Sequence, residues 1–177
     1  MQSDWENDFE EEDDRPSAIR GKKRVLFVCL GNICRSPAAE GIFRRIVEER
    51  DNPDRWVIDS AGLGNWHQGE MPDGRMRVHA LRRGLNLTHL SRPITSADFD
   101  DFDLIIGMDE SNMRQLKQRA PSPEAEKKLH RVSEWMGGVT SLYDHVPDPY
   151  YEGSEGFELV LNLLDDAMQR LYDDLKD

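Results

Sequence analysis

Near the start of the chain, eight residues run Cys29-Leu30-Gly31-Asn32-Ile33-Cys34-Arg35-Ser36. The residues before them, 25–28, are all apolar and mostly β-branched or aromatic, which predicts a buried strand over 24–29. Ser36 and Pro37 are typical of a helix N-cap and a first helical position, so a helix is predicted over 37–50. Residues 29–36 are therefore expected to form a loop that leaves a strand and enters a helix.

This loop carries a thiol and a guanidinium beside a helix N-terminus. Backbone N–H groups gather at such an end and the helix dipole is positive there, which suits an anion. The same field favours an ionised Cys29, and Arg35 can donate two parallel hydrogen bonds to a phosphoryl group. Gly31 lets the backbone approach an anion, and Asn32 tolerates a left-handed conformation. The pattern predicts attack of sulfur on phosphorus, the alternative being a structural cysteine beside an unrelated arginine.

The segment CLGNICRSPAAEG resembles the active-site loop of the low-molecular-weight protein tyrosine phosphatases. The likeness continues in the same order through DSAGLGNWHQGE (59–70), MDESNMRQL (108–116) and PDPYYEG (147–153), and spans roughly residues 23–176. The resemblance implies a cysteine-dependent hydrolase without a cofactor. Its expected substrate is a phosphotyrosine protein or an aryl phosphate.

The resemblance also implies three catalytic roles. Cys29 matches the nucleophile, Arg35 matches the phosphate-binding arginine, and Asp148 matches the general acid that later acts as a base. Asp148 stands between Pro147 and Pro149, which stiffen its loop. Local sequence alone favours a turn residue at Asp148, and the resemblance reverses that interpretation.

A supporting network is implied in the same way. Asn32, Ser36, Ser60 and His89 match residues that hold the Cys29 loop in the family, and Ser36 also matches a residue that hydrogen-bonds the thiolate. Asp109 is predicted to be the N-cap of a helix and matches a residue that holds Arg35. None of the five histidines has a ligand-like spacing to a partner, so no metal is predicted.

Aromatic side chains are expected to form the pocket wall. Aromatic faces flanking a phosphate cradle would sandwich a phenyl ring, which points to phosphotyrosine. The loop itself would add an apolar floor. The complete set of expected substrate-binding residues is Leu30, Gly31, Asn32, Ile33, Cys34, Ser36, Trp66, Tyr150 and Tyr151.

Three other functions are alternatives to a phosphotyrosine phosphatase. A thiol-dependent arsenate reductase needs further cysteines, and none follows Cys34. A protein-arginine phosphatase is the second alternative. By resemblance, tyrosine-directed members carry Ile at position 33 and arginine-directed members carry Thr, and this chain has Ile33. A catalytically idle phosphoprotein-binding module is the third, and the presence of Cys29, Arg35 and Asp148 speaks against it.

The order of predicted elements is β-α-β-α-β-α-β-α. Strands are predicted over 24–29, 55–59, 103–107 and 129–132, and helices over 37–50, 75–84, 109–119 and 154–174. Residues 61–74 are predicted to be a glycine-rich loop and 121–127 a connector. Alternating strands and helices predict an α/β fold, a small doubly wound (Rossmann-like) four-stranded parallel sheet with helices on both faces. Such sheets bind ligands at the carboxyl ends of their strands, where the Cys29 loop lies.

Length and charge limit the remaining possibilities. The 177 residues carry a net charge of −12, and residues 1–14 hold eight acidic side chains and no basic one. Residues 1–20 are predicted to be a disordered acidic tail, and 21–177 a single phosphatase domain. The acidic balance argues against nucleic-acid binding, and no apolar stretch approaches a membrane span or a secretory signal. A cytoplasmic monomer is expected.

Overall fold

A computed structural model describes residues 21–150 and 153–177. The predicted tail, 1–20, lies outside the described residues. The strands are β1 Lys23–Cys29, β2 Trp56–Gly62, β3 Leu104–Gly107 and β4 Leu129–Arg131. The α-helices are α1 Arg35–Arg50, α2 Gly74–Leu81, α3 Ser96–Asp101, α4 Glu110–Arg119, α5 Pro123–Glu126 and α6 Ser154–Leu175. Short 3-10 helices span Pro53–Arg55, Val132–Trp135 and Gly138–Leu142.

The four strands form one parallel sheet in the order β2-β1-β3-β4. The first strand therefore lies inside the sheet, with β2 on one side and β3 on the other. At its carboxyl end Cys29 pairs with Gly62 of β2, and Val28 pairs with Gly107 of β3. The predicted four-stranded parallel sheet is confirmed, and the Cys29 loop leaves it from the centre.

Alternate residues of β1 feed two separate cores. Val25 and Phe27 belong to the larger core, which α1 and α6 cover, whereas Leu26 and Val28 belong to a smaller core on the opposite face. Helices thus cover both faces of the sheet, as predicted. Because both faces are buried, β1 is a continuous apolar run rather than an alternating one.

Helix α6 supplies much of the larger core. Its apolar stripe is buried along the whole helix and includes Phe157, Val160, Leu161, Leu164, Met168 and Leu171. The opposite side carries acidic and polar residues, so the helix is amphipathic. Within the described ranges, no helix is long and apolar enough to cross a membrane.

The start of α1 differs from the prediction. The helix begins at Arg35 with Cys34 at the N-cap, so Ser36 lies in the first turn and is not the cap. The physical reason is that the Ser36 hydroxyl is taken up by the Cys29 sulfur and the Asn32 amide. The Ser36-Pro37 pair predicted the helix start two residues too late, because the Ser36 side chain binds within the loop instead of capping the helix.

Other element boundaries also differ from the predicted ones. Strand β2 continues to Gly62 because it pairs with β1 as far as Cys29, so the loop after it is shorter than predicted. Helix α2 ends at Leu81, and Gly84 takes up a left-handed conformation with φ +79° only after a further turn. Helices α3 and α5 were not predicted, although Thr95 and Ser122 cap them.

Candidate active site

The Cys29 loop is held in shape by one buried asparagine. Asn32 has φ +56°, in the left-handed region, as its residue type allows. Its Nδ2 donates to Ser36 Oγ at 2.8 Å and to Ser60 Oγ at 3.0 Å. Its Oδ1 accepts from the backbone N–H of Arg92 at 3.0 Å and lies 3.0 Å from His89 Nε2. The side chain therefore ties the loop to β2 and to the segment before α3.

Ser36 is the polar neighbour of the Cys29 sulfur. Its Oγ lies 3.0 Å from Cys29 Sγ, and its backbone N–H donates to the same sulfur at 3.5 Å. Since Asn32 donates to Ser36 Oγ, the serine hydrogen is available to donate to the sulfur. Both contacts stabilise negative charge on Cys29.

A second layer of charged groups lies behind this loop. Ser60 Oγ donates to Glu40 Oε1 at 2.7 Å, and His89 Nδ1 lies 3.2 Å from the same oxygen and 3.5 Å from Asp59 Oδ1. Arg44 pairs with Glu40, and Arg92 pairs with Asp59. The network therefore extends from the Cys29 sulfur to the Glu40 and Asp59 carboxylates, whose charges are balanced by arginines.

Among the described residues, Glu40, Asp59 and His89 could also hold a metal ion, since their ligand atoms lie within 4.8 Å of one another. The sequence spacing gave no hint of this cluster because the three residues come from α1, β2 and the segment before α3. The arginine partners of both carboxylates would compete with an ion. The absence of a metal stays a prediction.

Arg35 is almost completely buried, with 2% of its surface exposed, and faces three oxygen acceptors. Its Nη1 donates to Asp109 Oδ2 at 2.6 Å and to the carbonyl of Val146 at 3.0 Å, and its Nη2 lies 3.6 Å from Asp148 Oδ2. Burial disfavours the charged guanidinium, but the Cys29 sulfur and the two carboxylates raise the pKa of Arg35 above its ordinary value. Arg35 therefore remains a cation in the site.

Asp109 and Asp148 reach Arg35 from different elements. Asp109 is the N-cap of α4, where its Oδ1 accepts from the backbone N–H of Asn112 at 2.8 Å, so the cap prediction is confirmed. Asp148 lies on the loop before α6, and its Oδ1 accepts from the backbone N–H of Tyr150 at 3.0 Å. One aspartate is fixed by a helix end and the other by a local turn.

These groups open into a cavity of about 340 Å³ at the carboxyl end of β1. Cys29 lies at its base, and the Trp66 side chain, 68% exposed, stands at its rim. The full lining is Cys29, Leu30, Gly31, Ile33, Cys34, Arg35, Trp66, His67, Asp148 and Tyr150. The cavity thus combines a thiol, a guanidinium, a carboxyl and an apolar wall.

The family model described as low molecular weight phosphotyrosine protein phosphatase matches residues 24–177. A protein of that name from Sus scrofa is 42% identical over 139 residues, which cover 78% of this chain and 86% of the relative. The chain belongs to the low molecular weight phosphotyrosine protein phosphatase family. It is an enzyme of that family, and the family resemblance noted from the sequence is confirmed.

Solved structures agree with the fold of this phosphatase. A protein tyrosine phosphatase from Entamoeba histolytica superposes with a TM-score of 0.83 at 37% identity, covering 88% of this chain and 97% of that one. A Drosophila protein described as an arginine phosphatase superposes with a TM-score of 0.79 at 35% identity, covering 86% and 98%. The fold is therefore shared by relatives whose names give different phosphorylated residues.

The phosphatase brings together every expected site residue that the structure describes. Tyr151 lies outside the described residues. Asn32, Ser36, Ser60 and His89 form the network behind the loop rather than the cavity surface, and Asp109 holds Arg35. Burial and the Asp73 carboxylate raise the pKa of the Cys34 thiol, so Cys34 remains protonated beside Cys29.

Two contributors to the phosphatase site were not predicted. His67 lines the cavity, with its ring centroid 6.2 Å from that of Tyr150, and only its position after Trp66 could have suggested it. The Val146 carbonyl holds Arg35, and no side-chain pattern signals a backbone acceptor.

Proposed function

We propose that this phosphatase hydrolyses protein phosphotyrosine through a phosphocysteine intermediate. One observation carries the proposal: the Cys29 thiol, the Arg35 guanidinium and the Asp148 carboxyl line the same cavity. These are a nucleophile, an anion-binding fork and a proton donor, which together suffice for phosphoryl transfer.

The first half-reaction transfers the phosphoryl group to sulfur. The Cys29 thiolate attacks phosphorus while Arg35 and the loop N–H groups bind the phosphoryl oxygens. The P–O bond to the leaving phenol breaks, its electron pair goes to the phenolic oxygen, and Asp148 donates a proton to that oxygen. Asp148 is well situated for this because it lies on the rim of the cavity, 3.6 Å from Arg35 Nη2.

The second half-reaction releases phosphate. A water molecule attacks phosphorus, and the Asp148 carboxylate takes a proton from it. The S–P bond breaks and its electron pair returns to Cys29. The Ser36 hydroxyl, 3.0 Å from the sulfur, makes the thiolate a better leaving group by hydrogen bonding.

The cavity wall favours an aromatic substrate. Ile33, which is buried, lines the cavity together with Tyr150, and the exposed Trp66 lies at its rim. A phenyl ring gains from these apolar faces, whereas a phosphoserine side chain is too short to reach them. A phosphoguanidinium would need hydrogen-bond acceptors that Ile33 does not offer.

Phosphoarginine is the second candidate because the Drosophila structural neighbour is described as an arginine phosphatase. Three peptides of one sequence, carrying phosphotyrosine, phosphoserine or phosphoarginine, separate the candidates when kcat/KM is measured at one pH. We expect at least a ~100-fold preference for phosphotyrosine, equivalent to about 3 kcal/mol of apolar contact. Faster cleavage of phosphoarginine would overturn the assignment, and Ile33→Thr should shift the ratio toward phosphoarginine.

The nucleophile is tested with Cys29→Ser. An alcohol is a far weaker nucleophile at neutral pH, so turnover of an aryl phosphate should vanish while calorimetry still detects tungstate binding. Wild-type turnover in this variant would rule out the phosphocysteine route. Failure of the unaltered protein to hydrolyse any aryl phosphate would instead favour a phosphoprotein-binding module.

The location belongs to the same proposal. Both cysteines are free and buried, and a nucleophilic thiol persists best in a reducing compartment, so we propose the cytoplasm.

A further inference from the structure

One arginine beside the cavity has contacts that the catalytic steps do not use. The guanidinium carbon of Arg75 lies 5.4 Å from the centroid of the Tyr150 ring and 4.9 Å from that of Phe157. Phe157 is fully buried in α6, so it gives the guanidinium a fixed platform. Tyr150 lines the cavity, so Arg75 contacts a residue of the proposed substrate wall.

The same guanidinium is anchored to the Cys29 loop. Its Nε donates to Asp73 Oδ1 at 3.1 Å and its Nη2 donates to Asp73 Oδ2 at 2.9 Å. The backbone N–H of Asp73 in turn donates to the carbonyl of Ile33 at 2.8 Å. Since Asp73 is also the N-cap of α2, this bidentate pair cannot rotate freely.

Tyr150 is directly coupled to Asp148. The backbone N–H of Tyr150 donates to Asp148 Oδ1 at 3.0 Å, and only Pro149, whose φ is restricted, separates the two residues. The position of the Tyr150 backbone is therefore linked to that of the Asp148 carboxyl. The contacts form a chain from Ile33 through Asp73, Arg75 and Tyr150 to Asp148.

We propose that Arg75 is a positioning residue for the general acid. It keeps the Tyr150 ring against α6, and through that ring it keeps the Asp148 carboxyl at a fixed distance from the phosphate loop. A guanidinium suits this task because its planar fork binds a carboxylate edge-on and stacks on aromatic faces at the same time. The inference rests on the proposed function, since it requires that Asp148 protonates the leaving phenol.

The test is the dependence of kcat/KM on leaving-group basicity, because kcat/KM includes the step that releases the phenol. A misplaced acid harms basic phenols most, since good leaving groups need little protonation. We expect Arg75→Ala to lower kcat/KM about tenfold for phenyl phosphate and about twofold for p-nitrophenyl phosphate. These losses are smaller than the loss expected from removing the general acid altogether. Arg75→Lys keeps the charge but lacks the planar fork, so it should show a loss of the same kind.

Double variants show whether Arg75 acts through the proposed route. In Asp148→Asn, which lacks the proton donor, adding Arg75→Ala should not make kcat/KM depend more steeply on leaving-group basicity. In Tyr150→Ala, the same addition should lower kcat/KM less than twofold, because the link is already broken.

Two measurements exclude a general structural effect. Arg82→Ala alters an exposed arginine at the end of the same helix and should leave kcat/KM unchanged. The inhibition constant of inorganic phosphate should stay within about twofold in Arg75→Lys, because Cys29 and Arg35 are untouched. If Arg75→Ala does not fold, Arg75→Lys and Arg75→Gln carry the series.

The outcomes are distinguishable. If the Arg75 variants lose the same factor in kcat/KM for every leaving group, while the loss in Asp148→Asn rises steeply with leaving-group basicity, the positioning role alone is overturned. If the loss of kcat/KM in Asp148→Asn does not depend on leaving-group basicity, the assignment of Asp148 as the general acid is overturned, and the positioning role with it.

Discussion

Asn32 uses its whole hydrogen-bonding capacity in one place. Its amide donates twice and accepts twice, its surface is completely buried, and its backbone is left-handed. The loop conformation thus depends on a side chain that does not line the cavity. Removing the side chain and removing the backbone preference are separate perturbations, and two substitutions distinguish them.

Asn32→Ala loses both the side-chain amide and the tolerance for a left-handed backbone, whereas Asn32→Gly loses only the side chain. We expect both variants to be catalytically impaired, and the alanine variant to be less stable than the glycine variant by about 1 kcal/mol, the cost of a left-handed non-glycine residue. Urea unfolding measures the difference. Equal stabilities would mean that the loop relaxes to another conformation in both.

The residue-level predictions from sequence succeeded where chemistry is local. Asp109 has a typical N-cap position, and Arg35 follows Cys29 at a fixed spacing in one loop, so both were identified. His67 and the Val146 carbonyl were missed, because their positions depend on how distant loops fold over the site. The catalytic roles remain predictions until the substitutions are made.

At the scale of elements, the end of β2 packs closely against the Cys29 loop. A Cβ at Gly62 would lie 3.1 Å from both the Asn32 Cβ and the Gly31 carbonyl carbon, and 3.2 Å from the Asn32 nitrogen. Two of these three contacts are with backbone, which cannot give way without moving the loop. Gly62 therefore permits the close approach of strand and loop.

Gly62→Ala should keep the fold but lower kcat/KM at least about tenfold, because small displacements of an oriented catalytic group have large rate effects. Gly74→Ala is the matched control. An added Cβ there meets nothing closer than 3.7 Å, and alanine is the better helix former, so activity should be retained. An active Gly62→Ala enzyme would show that the loop tolerates movement.

The elements missed from sequence were the shortest ones. Helices α3 and α5 have six and four residues, too few for a periodic apolar pattern. Their caps were visible, since Thr95 and Ser122 stand at typical N-cap positions, but capping residues are equally common in turns. Long elements such as β1 and α6 were predicted well because burial imposes a pattern over many residues.

At the scale of the whole molecule, α6 is also tied to the loop that follows β4. Asp166 accepts hydrogen bonds from the Gly137 backbone N–H at 3.0 Å and from the Thr140 hydroxyl, and it pairs with Arg170. Partial burial works against the charged form, but these donors lower the pKa of Asp166 below its ordinary value. This carboxylate therefore makes part of the stability depend on pH.

Because the folded pKa is the lower one, Asp166 stabilises the fold fully above roughly pH 4, and the contribution is lost as the pH falls through the folded value. Asp166→Asn should lower the free energy of unfolding at pH 6 and show a shallower decline between pH 6 and pH 3. Urea titrations across this range measure both. Glu155→Gln, at an exposed position on the same helix, should keep the wild-type slope, and a wild-type slope in Asp166→Asn would contradict the linkage.

Removing residues 1–20 is expected to leave the chemistry intact. The family match begins at residue 24, and the removed segment carries acidic charge that would repel a phosphorylated substrate. The value of kcat should remain within about twofold, and KM should not rise. A large fall in kcat would show that the segment contributes to the catalytic domain.

Trp66 stands at the cavity rim with 68% of its surface exposed, whereas Trp56 is buried in the core. Indole fluorescence responds to the polarity around the ring, so filling the cavity should change the emission of Trp66, which lines it. The enzyme therefore carries its own optical reporter of occupancy. In a stopped-flow experiment, the emission change would time the arrival of substrate, while absorbance times the release of the phenol, and binding could be resolved from chemistry without a label.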